Sequence, residues 1–466
     1  MKFKGEFSRD SAFKWFCVIV VGFMLRSDHL GITSIIRDLA LDGRNYENLR
    51  HFFYSSAWSL EKLRQCWYTV VRDSGLVYSV NGRSILAGDG VKQSKESKYM
   101  PGVKKLVQES EDSSKPEYIF GHMFGAIGVI LGKAQLCCPL KFNIQEGLKS
   151  VAKWEGSFIS GQSHVIQIVE NLFEASRTFG KSYGLLDRLF LCVPVLKRLK
   201  ELNDAYDPNE HLLEIVTKAK SNCVAYTKPK VPEKRGKGRP RQKGSPVHLK
   251  DLWEYKKSFI SASAFVYGKQ EIVKYFYIDL LWGKGLYQEL RFVLTELDGV
   301  RSILVSTDLS LSPVQIIELY ARRFKIENCF RAFKQQFGGF CYHFWTKKLQ
   351  KLNRFKKKDA PDPVDLVTED HDKRLILGKI KAIEGFVLAA NIAMGISQIL
   401  SLTFPPNEVL KHRYLRTVVT TRTSEATIMY YFRRHIFAFL VQHPNSPITQ
   451  FIRVKQVPAL VDLKTA

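Results

Sequence analysis

The sequence predicts an α/β protein: a mixed-sheet core, interrupted by a mostly β insertion, with helical regions at both ends. Three patterns carry this. Short apolar runs at 84–90, 118–131, 139–144 and 182–186 read as buried strands and are interleaved with amphipathic helical spacing at 166–178 and 192–202. From 206 to 300 the pattern turns to strands, at 216–218, 223–226, 258–267, 271–278 and 290–297. Beyond them Ser312-Pro313, with Gln315 three places after the serine, opens a helix that Gly338-Gly339 can stop. The expected order is a helical region 1–78, core 79–205, insertion 206–300, core completion 301–404 and a helical region 405–466.

Composition narrows the class. The 466 residues carry a net charge of +26, with 45% hydrophobic and 12% aromatic content, so the chain folds and its partner is polyanionic, most simply nucleic acid. Eight scattered cysteines form no Cys-x2-Cys pair, which indicates neither a zinc site nor a disulfide framework and fits a reducing, cytoplasmic compartment. The apolar run 16–25 is too short to span a bilayer, and the apolar helix pattern at 376–400 is broken by Lys379, Lys381 and Glu384, so no membrane segment is expected.

In the first region, helical spacing recurs at 13–27, 32–41, 46–55 and 60–72. The break at 41–44 allows a helix-turn-helix arrangement that reads DNA, or a plain bundle packed on the core. Asp89 then closes a predicted strand between Gly88 and Gly90. Small neighbours would let a metal and a phosphate approach its carboxylate, although Asp-Gly is also a common turn. Lys92, Lys95, Lys98, Lys104 and Lys105 follow as a basic loop suited to phosphates. His122, on the next strand, reads as a satisfied core histidine.

Asp187, followed by Arg188, stands where the strand 182–186 meets a helix, either as a metal ligand at the sheet edge or as a helix cap. Asp204, Asp207 and Asp308 compete for the same role. The capped helix over 313–337 has about seven turns. On it Tyr320, Arg323, Glu327 and Lys334 fall within an arc of about 60°, Arg331 beside them and apolar residues on both shoulders, so that stripe should face inward. Glu318, Arg322, Lys325 and Gln336 should face solvent. The stripe is either a buried ion-pair ladder or a carboxylate among phosphate-binding cations.

The spacing Tyr-x2-Arg-x3-Glu-x6-Lys, filled by Tyr320, Arg323, Glu327 and Lys334, resembles the signature of bacterial insertion-sequence DDE transposases. The stretches GDGVKQSKESKYMPGVKKL, from Gly88, and LLDRLFLCVPVL, from Leu185, are similar to the two aspartate blocks of that group. The resemblance implies an RNase H-like core and a catalytic set of Asp89, Asp187 and Glu327 holding two Mg²⁺ ions, with Mn²⁺ as a substitute. It also implies double-stranded DNA as substrate, at transposon ends and at target, and a homodimer pairing the two ends. Tyr320, Arg323 and Lys334 would then hold phosphates. A DNA-binding regulator without chemistry and a structure-specific nuclease are the alternatives.

Two further stretches suit DNA. Residues 228–243 hold eight Lys or Arg and one acid, Lys237, Arg239 and Arg241 among them, and Gly238-Arg239-Pro240 is similar to an AT-hook core. Residues 345–358 hold seven Lys or Arg with Trp345 and Phe355 interleaved. Trp253 and Trp282 are stacking candidates, with core packing the simpler role. Arg433-Arg434, in a last helix over 424–442, could meet phosphate or a second subunit.

Overall fold

A computed structural model describes residues 2–28, 31–108, 116–133, 136–148, 151, 154, 163–230, 240–355, 361–404 and 423–457. Helices α1 (Asp10–Leu25), α2 (Thr33–Asp38), α3 (Asn45–Tyr54) and α4 (Leu60–Arg72) come first. Strands β1 (Ser79–Val80), β2 (Arg83–Ser94), β3 (Lys104–Val107), β4 (Tyr118–Leu131) and β5 (Leu136–Ile144) follow. Next are α5 (His164–Phe179), β6 (Ser182–Leu185), α6 (Val193–Tyr206), β7 (Leu213–Lys218), β8 (Val224–Tyr226) and β9 (Pro246–His248). A meander of β10 (Ile260–Val266), β11 (Lys269–Trp282), β12 (Gln288–Leu297) and β13 (Val300–Ser306) leads to α7 (Pro313–Arg322) and α8 (Lys325–Gln335). The chain closes with α9 (Asp370–Thr403), α10 (Glu425–Gln442) and α11 (Pro447–Lys455).

Two compact units result. One comprises Met1–Tyr78, Gly90–His164 and Glu327–Ala466, the other Ser79–Asp89 and Val165–Ile326.

In the first unit α9 is the hub, packed against α1, α3, α4, β5 and α10. Its middle turns, Gly385 to Met394, are buried on every face and, Asn391 apart, apolar or small, the pattern of a helix enclosed by protein. It is long and apolar enough to cross a membrane, yet 78% of its apolar window lies buried within the protein. Trp67 of α4 is fully buried, and its indole N–H donates to the Pro139 carbonyl at 3.0 Å. Arg433 donates to the carbonyls of Leu25 and Arg26, both at 2.7 Å, and so closes the C-terminus of α1 instead of facing an outside anion.

His122 is a core histidine. Nε2 lies 2.8 Å from the Pro101 carbonyl, which needs a donor, so Nδ1 accepts from the Tyr342 hydroxyl at 2.6 Å. Burial pushes its pKa down to about 4, against the Pro101 bond, which raises it, and with Lys95, which lowers it further. The unfolded chain therefore takes up a proton near the ordinary histidine pKa and the folded chain does not. Stability should fall as pH drops from about 6.5 to about 4, by roughly 3 kcal/mol in all. Denaturant midpoints across that window should show the slope, and His122→Gln should flatten it.

The expected basic loop after Asp89 is mostly structured and committed. The strand does not end at Asp89 but runs on to Ser94. Lys95 is buried, bonded to the carbonyls of Phe340 and Tyr342, and burial lowers its pKa to about 8. Lys104 pairs with Glu146 at 2.7 Å, and Lys105 lies over the Tyr118 ring.

The second unit is built on a mixed sheet. β2, β6 and β7 run parallel, and β7, β13, β12, β11 and β10 continue antiparallel, with β8 and β9 beyond β11. The strands expected in the insertion thus extend the sheet that carries Asp187. Leu196, Leu290, Phe292, Leu294, Ile303 and Val305 form a core there, with Trp253 and Trp282 packed against it, so both tryptophans serve packing.

The capping box at Ser312 and Gln315 is present. The single helix expected over 313–337 is instead interrupted: the Arg323 N–H bonds the Tyr320 carbonyl and the Ile326 N–H bonds the Arg323 carbonyl, both three residues back. This is a 3₁₀-like tightening with neither Pro nor Gly to cause it. The face expected in solvent is covered as well. Glu318 accepts the Phe265 N–H of β10 at 2.8 Å, and Arg322 is buried.

Candidate active site

Strand register brings the two aspartates together. Ala87 of β2 lies opposite Leu185 of β6, and Leu185 opposite Val216 of β7. Side chains alternate faces along a strand, so two residues further on Asp89, Asp187 and Lys218 stand in one row on one face. Parallel neighbours lie about 5 Å apart, which makes the two carboxylates adjacent. The opposite face confirms the row: a Cβ on Gly88 would meet Leu186 Cδ2 at 3.0 Å and Ile168 Cγ2 of α5 at 2.8 Å. Gly88 therefore serves the close packing of α5 on the far side of the sheet, not the approach of a metal to Asp89.

Asp187 lies two residues past the end of β6 with its backbone still extended (φ −78°, ψ 179°), and Thr217 Oγ1 donates to its carbonyl at 2.5 Å. Its Oδ1 accepts the Leu189 N–H at 2.8 Å, so the cap reading is correct as far as it goes. A carboxylate has a second oxygen, and capping leaves that one for other work. The competing acids are committed elsewhere. Asp308 accepts from Tyr183 Oη at 2.7 Å and from both the N–H and Oγ of Ser310. Asp204 pairs with Lys200, and Asp207 accepts the Asn209 N–H.

Cations surround this row. Arg323 sits where α7 ends and reaches Asp89, Nη1 to Oδ2 3.3 Å, with both side chains mostly buried. Tyr320, one turn earlier, has its phenol pKa raised to about 12 by burial, with Arg323 acting against the rise and Asp187 adding to it. Arg188 is exposed beside Asp187. Lys218 was not foreseen. Nothing in its local sequence distinguishes it from other strand-end lysines, and only the register of three strands puts it in line with the two acids.

The remaining expected residues belong to other segments of the chain. Glu327 is in the first turn of α8 and exposed, the first residue of the first unit's last segment. Lys334 Nζ donates to the Lys92 carbonyl at 3.2 Å, and Lys92 Nζ to the Val107 carbonyl at 2.6 Å. Lys237 and Arg239, and the rest of 231–239, fall outside the described residues. Arg241 is exposed, and the basic arm is held at its feet: Lys228 pairs with Glu289 at 2.7 Å, while Lys243 lies 3.8 Å over the Tyr226 ring. Trp345 and Phe355 are exposed, Phe355 almost completely.

Among the described residues, no three His, Cys, Asp or Glu side chains gather closely enough to hold a metal ion. Three carboxylates repel one another unless cations intervene, and here Asp89 takes its positive partner from Arg323. The row offers oxygen donors from two aspartates, the donor type that a hard divalent cation takes.

Residues 179–341 match the family model described as a transposase DDE domain. The matched segment carries Asp187, Lys218, Tyr320, Arg323, Glu327 and Lys334 and supports a DDE transposase, a class that acts on DNA and generally needs divalent metal. It begins after Asp89, which joins the site through strand register and its ion pair with Arg323. No curated protein matches the sequence.

Proposed function

We propose that this chain is the transposase of an insertion sequence, one that binds the element's terminal inverted repeats, cuts the strands there and joins them to target DNA. The observation that carries this is the Asp89–Asp187 row with Arg323 on Asp89, drawn largely from the segment that matches the transposase domain. The parallel order β2-β6-β7, with α5 and α6 as its crossovers, suits an RNase H-like core.

In this proposal Asp89, Asp187 and Glu327 hold two Mg²⁺ ions, with Mn²⁺ able to replace them. The oxygen donors of the two aspartates fit such ions. When bound, the pair supplies an activated oxygen nucleophile and neutralises the leaving oxygen of an in-line displacement at phosphorus. The chain's own residues do the rest. Arg323, freed from Asp89 when that carboxylate takes another partner, turns its guanidinium to a phosphate beside the reacting one. Tyr320, kept protonated by burial, donates its O–H to phosphate oxygen. Lys334 and Lys92 hold the strand further along, and Arg241, with Lys237 and Arg239, grips duplex DNA from the basic arm. A homodimer would pair the two ends, and the net charge of +26 suits a cytoplasmic protein associated with the nucleoid.

The test is strand cleavage of the DNA that flanks this chain's own reading frame. Cleavage with Mg²⁺ that stops on chelation supports the proposal. DNA binding without cleavage under any divalent ion would favour a regulator.

A further inference from the structure

We infer that Lys218, with Arg188 beside it, forms a phosphate-binding wall of the Asp89–Asp187 site and takes a phosphodiester of the bound DNA strand. The inference rests on the phosphoryl-transfer proposal above and adds residues that the Tyr-Arg-Glu-Lys spacing does not contain.

Three observations converge. Lys218 ends β7 in the same row and on the same face as Asp89 and Asp187, the third position across three parallel strands. It is half-buried, yet among the described residues its ammonium makes no hydrogen bond and no ion pair. Its surroundings are also cationic: Arg188 follows Asp187 in the chain and is exposed, and Arg323 is held on Asp89. A half-buried ammonium with two guanidinium groups near it and no ion pair of its own is poorly compensated in the free protein. A phosphate oxygen bound among the three cations would relieve it. Since the row also carries the two carboxylates, the phosphate it holds is next to the one that reacts. A phosphodiester suits the place because each non-bridging oxygen can accept from a separate cation.

The experiment compares wild type with Lys218→Met, which keeps the length and apolar stem, and with Lys218→Arg. Affinity for a short duplex of the flanking DNA is measured by fluorescence anisotropy over a series of salt concentrations, with melting temperature recorded without DNA. Lys218→Met should bind about tenfold or more weakly. The slope of log affinity against log salt should become shallower by about 0.9, one phosphate contact. Lys218→Arg should restore the slope, and the melting temperature of Lys218→Met should not fall, because a poorly solvated charge has been removed. Inorganic phosphate should compete with the duplex less effectively on Lys218→Met than on wild type.

An unchanged slope would overturn the inference, as would a Lys218→Met chain that melts early or fails to fold, since either marks a structural lysine. Failure of the broader proposal looks different. A shallower slope with no cleavage by wild type keeps the phosphate contact and removes the chemistry. Full wild-type cleavage with an unchanged slope in Lys218→Met removes only the contact.

Discussion

Asp187→Asn should leave the chain folded and bound to DNA while strand cleavage falls by about a thousandfold or more, the loss expected when a charge that acts on the reacting phosphate is removed. The amide separates the cap that Asp187 provides from the ligand role proposed for it. Its oxygen can still accept the Leu189 N–H that Oδ1 now accepts at 2.8 Å, so the cap survives. What disappears is the negative charge beside Asp89 in the strand row. Asp187→Ala, in contrast, should lose both, with a further destabilisation of about 1 kcal/mol from the missing cap. Single-turnover cleavage of terminal DNA, with binding measured in parallel, distinguishes the cases. Retained cleavage in Asp187→Asn would reduce this residue to a cap.

Trp67→Ala should be the most damaging substitution for stability, at about 3–5 kcal/mol. Trp67 is fully buried, and it joins the N-terminal helices to the rest of the first unit in two ways. Its indole N–H serves the Pro139 carbonyl of β5, which would be left without that donor. Its ring also lies so close to α9 that a Cβ on Gly395 would meet Cζ2 at 2.2 Å, which explains why a glycine stands in the middle of that helix. Removing the indole leaves a cavity between α4, β5 and α9 that backbone on two sides cannot fill. Thermal unfolding should show a lower midpoint, and Trp67→Phe should lie between. A loss below about 1 kcal/mol would mean that the helices of residues 1–78 do not depend on this contact.

Much of the fold was legible because its signals are local. The capping box at Ser312, the strands of the meander and the four N-terminal helices each announce themselves through residues a few places apart. What stayed hidden depends on tertiary contact. No local residue signals the break at Arg323, where ordinary helix formers stand and only the bonding of Arg323 and Ile326 shows the tightening. The helix face of Glu318 and Arg322 reads as solvent-facing because both are charged, yet β10 supplies a backbone N–H to Glu318 and Arg322 is buried. Glycines beside Asp89 looked like room for a ligand, and Gly88 instead lets α5 approach the sheet.

At the site, residue type left Asp89 open between ligand and turn and Asp187 between ligand and cap; the resemblance singled them out, and register makes them neighbours. Two acids about a hundred residues apart become neighbours only when β2 and β6 pair in parallel with Ala87 opposite Leu185. The same register adds Lys218, which no spacing within the sequence marks. Charge alone misassigned Lys95, because a lysine whose ammonium is satisfied by buried carbonyls carries the same letter as one facing DNA.

The most direct measurement is Mg²⁺-dependent cleavage and joining of the element's own terminal DNA, wild type beside Glu327→Gln, with DNA affinity recorded for both. Glu327 opens α8 one turn beyond Arg323 and is proposed as the third carboxylate. The proposal predicts cleavage and joining by wild type, and their loss in Glu327→Gln with affinity unchanged. Intact cleavage in Glu327→Gln, or binding without cleavage in either protein, would contradict it.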